Sequence, residues 1–381
     1  MSTFDAEVVV IGTGTVGGFV ARELVRAGID VIAIDKDAPA HENSSHGGQT
    51  RMFRTAYREG AQYVPLLRRA RALWLRLQDE LGVTLFVPSG ALLVGHRDAD
   101  STAETLRSAH AHDLPARQLD IDEARNRWPF ITIRDDDVAV LDEAAGVLCA
   151  DAAVTLVAAD AKARGACLRT GVTATRVDDD GLGVSVTLDD HTSIRARTAV
   201  VSAGTGTAAL LPALHPWVRT ECLLLTWWIP SRQTHRFDAS RFPMVLRSGH
   251  DAYCAWPTDD HATVKIARSG SYLTIREGQP MPDAVPHEWI TLARDVIHRN
   301  VADLAPNPVR ANAYGEVFSR DHRFVLGRYP PSPNIVVATG FSGHGFKFAP
   351  VIGAVVAGIV TNDPAADGVF PRGGLREVLT T

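Results

Sequence analysis

Two hydrophobic periods alternate along the chain. Residues 7–11 are an unbroken, β-branched run closed by Gly12, which predicts a central parallel strand buried on both faces. Behind it Val16, Phe19, Val20, Leu24 and Val25 recur at helical spacing, and Gly28 ends that helix. Val31, Ile32, Ala33 and Ile34 predict a second strand that ends on Asp35. Residues 63–81 read as one long amphipathic helix with Leu66, Leu67, Ala70, Leu73, Leu77 and Leu81 on one side.

From residue 83 to 94 the pattern changes to short strands split by Pro-Ser-Gly. Helices over 103–113 and 122–128 and a strand-like 138–148 follow, the first part of a second lobe. Residues 151–164 return to helical spacing, 172–177 and 184–188 alternate as a small antiparallel sheet, and 198–204 form a buried strand ending in Gly204. The chain thus leaves its first lobe and comes back. Strand-rich stretches over 219–229, 244–256 and 263–267 carry Trp227, Trp228, Tyr253 and Trp256 and predict a sheet roofing a pocket. A helix is predicted over 286–300, and 314–323 reads as a polar loop. An apolar strand over 335–338, a glycine-rich turn Gly340-Phe-Ser-Gly-His-Gly-Phe-Lys-Phe348 and an apolar helix over 350–357 close the pattern.

Composition narrows the function. A net charge of -5 gives no electrostatic reason to expect nucleic acid or an acidic membrane as partner. No apolar run reaches the roughly 20 residues that span a bilayer, and the acidic start shows no signal peptide, so a cytoplasmic location is expected. Cys149, Cys167, Cys222 and Cys254 are scattered and read as buried small hydrophobes in a reducing compartment. The acidic run 178–180 is a solvated turn, and no metal site is expected.

Gly12-Thr13-Gly14-Thr15-Val16-Gly17 stands between a strand and a helix, with Asp35 at the end of the next strand. That is the dinucleotide fingerprint in its required context: Gly12 permits the tight turn, Gly14 admits the pyrophosphate, and Gly17 lets helix pack on strand. Asp35 suits the ribose hydroxyls and disfavours a 2′-phosphate, so FAD or NAD is expected before NADP. Arg51 and Arg54 are three apart, near one face if they sit on a helical turn, and by spacing alone they also suit a solvated pair. Lys347 is unusual because lysine is rarely buried without a partner.

These pieces together resemble monomeric sarcosine oxidase and its relatives, FAD-dependent oxidases of N-methylated and N-substituted amino acids. The resemblance runs nearly end to end and is carried by the fingerprint, Thr50-Arg51-x-x-Arg54, Arg127-Trp128-Pro129, the Lys265 strand and the stretch 340–348. It implies an α/β fold: a Rossmann-like FAD-binding domain, discontinuous over 1–87, 150–217 and 321–381, with a substrate domain on a mixed β-sheet over 88–149 and 218–320. It further implies FAD contacts from Gly12, Gly14, Thr15, Val16, Gly17, Asp35, Lys36, Ser45, Thr50, Arg51, Val177, Gly204, Gly343, His344, Gly345, Phe346 and Lys347. Arg51 is similar to an arginine over the flavin face, Arg54 and Lys347 to the pair that holds the substrate carboxylate, and Lys265 to the lysine that activates oxygen through water. A bidentate guanidinium with an ammonium is suitable chemistry for such a clamp. On its alternating strand Lys265 also fits a residue reaching toward solvent. The implied partners are a small amino acid and oxygen, the implied product hydrogen peroxide, and the implied state a monomer. Rivals are a cyclic imino acid or N-methyl amino acid oxidase, and a flavin dehydrogenase with another electron acceptor.

The sequence departs from that family in two places. The family's flavin-linking cysteine lies about ten residues before a Phe-hydrophobic-hydrophobic run; aligned back from Phe324, Tyr314 takes its place, so non-covalent FAD is expected. Around the substrate nitrogen, Cys254, Val245 and Ser269 stand where sarcosine oxidase has tyrosine, methionine and histidine, and Glu316 replaces a further tyrosine. Three changes remove bulk and one adds a carboxylate, so an N-substituent larger than methyl is expected. Glu316 suits a cationic or hydroxylated substrate, and equally an exposed loop carboxylate.

Overall fold

The computed structural model describes residues 4–366 except 233, 250, 269–271, 276–278, 280–281 and 283, together with residue 369. Strand Ala6–Ile11 is buried apart from Glu7, as its apolar run requires. It lies parallel to Val31–Asp35 on one side and to Ser193–Val201 on the other. Cys167–Thr170 extends this parallel set beyond Val31–Asp35. The long strand Ser193–Val201 has two partners along its remaining edge: residues 193–196 pair antiparallel with Val184–Leu188, and 199–201 pair parallel with Ser332–Thr339. Three distant segments therefore meet at one sheet, and the glycine-rich turn after Thr339 comes to the same sheet edge as the turn after Ile11, with the end of Ser193–Val201 between them.

Helices Gly17–Arg26, Ala150–Ala163 and Ala349–Val360 cover one face over Val8, Val10, Phe19, Val157 and Ile352. Val9, Ile11, Val186, Ile194 and Val201 pack on the other. Helix Val64–Leu81 buries Leu66, Leu67, Ala70, Trp74 and Leu77 in the first core, following its predicted face.

The second sheet has nine strands and is mixed: Met244–Arg247 runs parallel to Ala91–His96, and the other pairs are antiparallel. Its period-two pattern separates two cores. Leu224, Trp228, Val245, Tyr253, Ala255 and Ile266 pack outward under helix His287–Asn300. Leu225, Trp227, Leu246, Cys254, Trp256 and Ala267 form the inner face.

Three sequence expectations change. Residues 314–323 were expected as a loop, but Arg310–Ser319 is a strand paired along its length with Val218–Trp228. Its polar positions disguise it because one face lines a cavity rather than an apolar core. Arg51 lies on a strand, Thr50–Phe53, so it does not share a helical turn with Arg54. Cys167 is exposed, whereas the other three cysteines are buried. Among the described residues, no helix is long and apolar enough to cross a membrane, and no group of acidic, histidine and cysteine residues is arranged to hold a metal ion.

Candidate active site

The turn after Ile11 is built around Gly12, whose φ of 87° is left-handed. A Cβ on Gly17 would lie 1.8 Å from the Gly12 carbonyl oxygen, so only glycine lets the helix start this close to the strand. Asp35 closes the turn: Thr13 donates to its Oδ2 from the backbone N at 2.7 Å and from Oγ1 at 3.1 Å. Ser202 Oγ donates to the Gly12 carbonyl at 2.9 Å, which fastens the turn to the returning strand.

From this turn a cavity of about 1220 Å³ runs through the molecule. Gly12, Gly14, Thr15, Val16, Asp35, Lys36 and Gly204 line one end, and Ser45, His46 and Arg51 its middle. Gly343, His344, Gly345, Phe346 and Lys347 reach it from the glycine-rich turn. Trp74, on the long helix, donates from Nε1 to the Lys347 carbonyl at 2.9 Å and stacks on Phe346, which holds that turn in place. Ser342 in the turn has φ 51°, a conformation L residues rarely hold, and its Oγ accepts from Ser319 N at 3.1 Å.

Arg54 and Lys347, far apart in sequence, are both buried at one end of this cavity. Tyr57 forms the floor beneath them: the guanidinium lies 4.6 Å and the ammonium 5.6 Å from its ring centroid. The Tyr57 hydroxyl and His344 Nδ1 are hydrogen-bonded at 2.7 Å, which ties this floor to the glycine-rich turn. Sequence reasoning missed both Tyr57 and Glu59. Glu59 Oε1 accepts from Arg54 Nη2, and Arg58 Nε lies 3.4 Å from the same oxygen. Although burial opposes it, the Arg54 charge holds the Glu59 carboxyl far below the usual carboxylate range. Arg54 Nη1 and Glu59 Oε2 are buried without partners. Burial and the neighbouring Arg54 lower the Lys347 pKa to about 7. The only hint in the sequence is the density of charge in Tyr57-Arg58-Glu59 directly after Arg54.

Lys265 is fully buried on the inner face of the second sheet, so it is not the solvent-reaching residue its alternating strand also allows. Its Nζ donates to the Gly48 carbonyl and, at 2.5 Å, to the Thr50 carbonyl. The indole rings of Trp256 and Trp227 lie 5.0 and 5.5 Å away. Burial and the Arg51 charge push its pKa well below the usual lysine value. Lys265 does not line the cavity, and neither do Gly48 and Thr50, whose carbonyls it holds. Arg51 does line it, and donates to Thr50 O at 2.9 Å and Ser45 O at 2.8 Å.

Four expected site residues sit elsewhere. Val245 packs into the outer core, and Leu246 takes the cavity position, because adjacent strand residues face opposite ways. Val177 packs against the core beneath the first sheet, and residues 172–175 line the cavity before the strand turns that way. Thr50 is fully buried as a strut, its Oγ1 accepting from Trp256 Nε1 at 3.1 Å. Gly17 acts through helix packing and does not line the cavity. Cys254 and Glu316 do line it, and Ser269 lies outside the described residues. Tyr314 packs against Gly47 and Gly48 and is bonded through its hydroxyl to Glu42 Oε2 at 2.8 Å. A Cβ on Gly47 would lie 2.4 Å from the Tyr314 ring, so this glycine gives the tyrosine its room.

The sequence pattern of the family described as FAD dependent oxidoreductase matches residues 7–359. The chain belongs to this family. It is 31% identical over 365 residues to the N-methyl-L-tryptophan oxidases of Yersinia pestis and Yersinia pseudotuberculosis, covering 95% of this chain and 96% of theirs. Its fold is similar to NikD, an unusual amino acid oxidase essential for nikkomycin biosynthesis, with a TM-score of 0.83, 20% identity and 95% of each chain covered. It is also similar to glycine oxidase from Geobacillus kaustophilus, with a TM-score of 0.80, 18% identity and 94% and 95% covered.

The residues present fit the family's cofactor. Ordinary small-molecule sites measure about 300–1,000 Å³, and this cavity exceeds them, with room for a dinucleotide and a substrate together. Ser44 Oγ and His46 Nε2 are buried without protein partners and line it, as a polar ligand would require. Asp35 and the Gly12–Gly17 turn would hold the adenosine and pyrophosphate, and Gly343 to Lys347 the ring end.

Proposed function

We propose that this FAD-dependent oxidoreductase is an oxidase of a secondary amino acid, whose nitrogen carries a substituent bulkier than methyl. The observation that supports it best is the buried pair Arg54 and Lys347 facing a chamber walled by Cys254, Leu246 and Ala267. A carboxylate gripped by the pair has its α-carbon fixed in position, and orientation of this kind lowers a barrier without any charged base at the carbon. FAD, when bound, supplies the acceptor for a hydride from that carbon. Leu246 restores some bulk on the wall, while Cys254 remains small for its position. The product is an imine that water hydrolyses to an amine and a carbonyl compound, with oxygen reduced to hydrogen peroxide. A second reading is an N-methyl amino acid with a large side chain, favoured by the 31% identity to N-methyl-L-tryptophan oxidase. An anaerobic bleaching screen tests both, using glycines with N-substituents of graded size beside N-methyl amino acids. Reduction should quicken from sarcosine to larger N-substituents. Sarcosine reducing the enzyme as fast as every bulkier glycine would sink the proposal.

We further propose that FAD is held without a covalent link. Tyr314 occupies the linking position in the alignment and offers no thiol. Cys222 lies in register with Gly315, but it is fully buried and does not line the cavity, and burial pushes its thiol up to about 11. Acid precipitation is expected to leave yellow flavin in the supernatant; yellow retained by the washed pellet contradicts it.

A further inference from the structure

Glu316 lines the chamber from the strand Arg310–Ser319, and its Oε2 is buried without a hydrogen-bond partner. The other glutamates lining the cavity are paired: Glu59 with Arg54, and Glu104 with Arg107 at 2.7 Å. Across the sheet Glu316 lies in register with Glu221, a like charge directly opposite, which destabilises a strand pair. Arg219 answers Glu221 at 2.5 Å, and Glu316 gains nothing from that pair.

The cations that influence Glu316 are Arg51 and Lys347. Arg51 directs its two terminal nitrogens to the Thr50 and Ser45 carbonyls, and Lys347 Nζ donates to His344 O at 3.1 Å. They act on Glu316 through the field and make no hydrogen bond to it. Burial still leaves its carboxyl above the usual range. Leu223, Leu225, Leu246 and Trp256 line the same cavity, and so does the guanidinium-bearing Arg268. A buried carboxylate oxygen without a hydrogen-bond partner, in a cavity that also holds the Arg54 and Lys347 cations, makes a dipolar chamber. A molecule that carries an anion at one end and a donor at the other satisfies both.

We propose that Glu316 is a specificity-determining residue that receives an ammonium group carried at the far end of the substrate's N-substituent. This rests on the secondary amino acid reading above and narrows it to N-substituted glycines with a second, basic nitrogen. A hydroxyl at the same place satisfies the carboxylate in part, and a second carboxylate is rejected.

The test compares four substrates of similar length on the FAD-loaded enzyme: N-aminoethylglycine, N-hydroxyethylglycine, N-propylglycine and N-carboxyethylglycine. The rate of anaerobic flavin reduction over Kd should fall in that order, with the aminoethyl compound ahead of the propyl compound by about 10- to 100-fold. Glu316→Leu should remove that preference. Glu316→Gln should lose the ammonium preference and keep the hydroxyl one. Calorimetry with the corresponding thioethers, in which sulfur replaces the reacting nitrogen, gives the same ranking as binding alone. Wild-type enzyme that takes the propyl compound as readily as the aminoethyl one overturns the proposal and leaves the parent reading standing, as does Glu316→Leu retaining the preference. Where neither variant folds, the wild-type ranking decides. Bleaching by none of the four removes the parent reading and this proposal together.

Discussion

Arg54→Ala is expected to weaken binding of a carboxylate-bearing substrate by about 2–5 kcal/mol, the cost of truncating a buried, hydrogen-bonded charge pair. That corresponds to roughly 30- to 4,000-fold in Kd. The size follows from the site: Arg54 is buried, its guanidinium lies over Tyr57, and one of its terminal nitrogens has no protein partner. Glu59 makes the expectation sharper. In this structure its carboxylate pairs with Arg54, so a substrate carboxylate competes with one already there. Glu59→Gln should therefore act in the opposite direction and tighten carboxylate binding. Lys347 adds a pH dependence. With its pKa lowered to about 7, its charge is present below that pH and lost as pH rises through it, so binding should weaken from neutral to alkaline pH. Kd values from anaerobic reduction traces check all three. An Arg54→Ala enzyme with full flavin content and unchanged Kd would show that the clamp lies elsewhere.

Much of this site was legible because its parts follow local rules. The strand, turn, helix, strand and acid of the fingerprint mark Gly12, Gly17 and Asp35 by sequence spacing alone, and in the structure Asp35 Oδ2 accepts from the Thr13 amide within that turn. The strand and helix flanking residues 340–348 were equally plain, since both are apolar. What failed has a common cause. Where a strand lines a polar cavity, its inward residues are polar, so residues 314–319 of the strand Arg310–Ser319 read as a loop and Glu316 equally as a surface carboxylate. The alignment of the substrate-side residues also misjudged facing: Val245 and Leu246 are one residue apart, and on a strand one residue decides between core and cavity. Tyr57 joins the candidate site through Lys347 and His344, partners distant in sequence that no local period reveals.

Lys265→Met is expected to slow reoxidation of the reduced flavin by oxygen about 100- to 1,000-fold, the cost of removing one preorganised group that stabilises developing negative charge. Reduction by substrate should hardly change, because the proposed clamp is Arg54 with Lys347 and Lys265 does not line the cavity. Lys265 Nζ is bonded to the Gly48 and Thr50 carbonyls, so its loss leaves two buried acceptors unanswered and loosens the backbone that carries Arg51. A structural role alone would lower thermal stability and flavin content and would slow both half-reactions together. A role in oxygen chemistry slows reoxidation selectively in enzyme that keeps its flavin. The two indole faces at 5.0 and 5.5 Å favour the charged form against the burial that opposes it, and Lys265→Arg keeps a charge there while changing the fit to the two carbonyls. Recovery of oxygen reactivity in Lys265→Arg, with reduction unaffected in both variants, is the pattern expected of a charge acting on oxygen. Stopped-flow mixing of the reduced enzyme with oxygen measures it directly, and an unchanged reoxidation rate in Lys265→Met would leave Lys265 as a strut for residues 48–50 and nothing more.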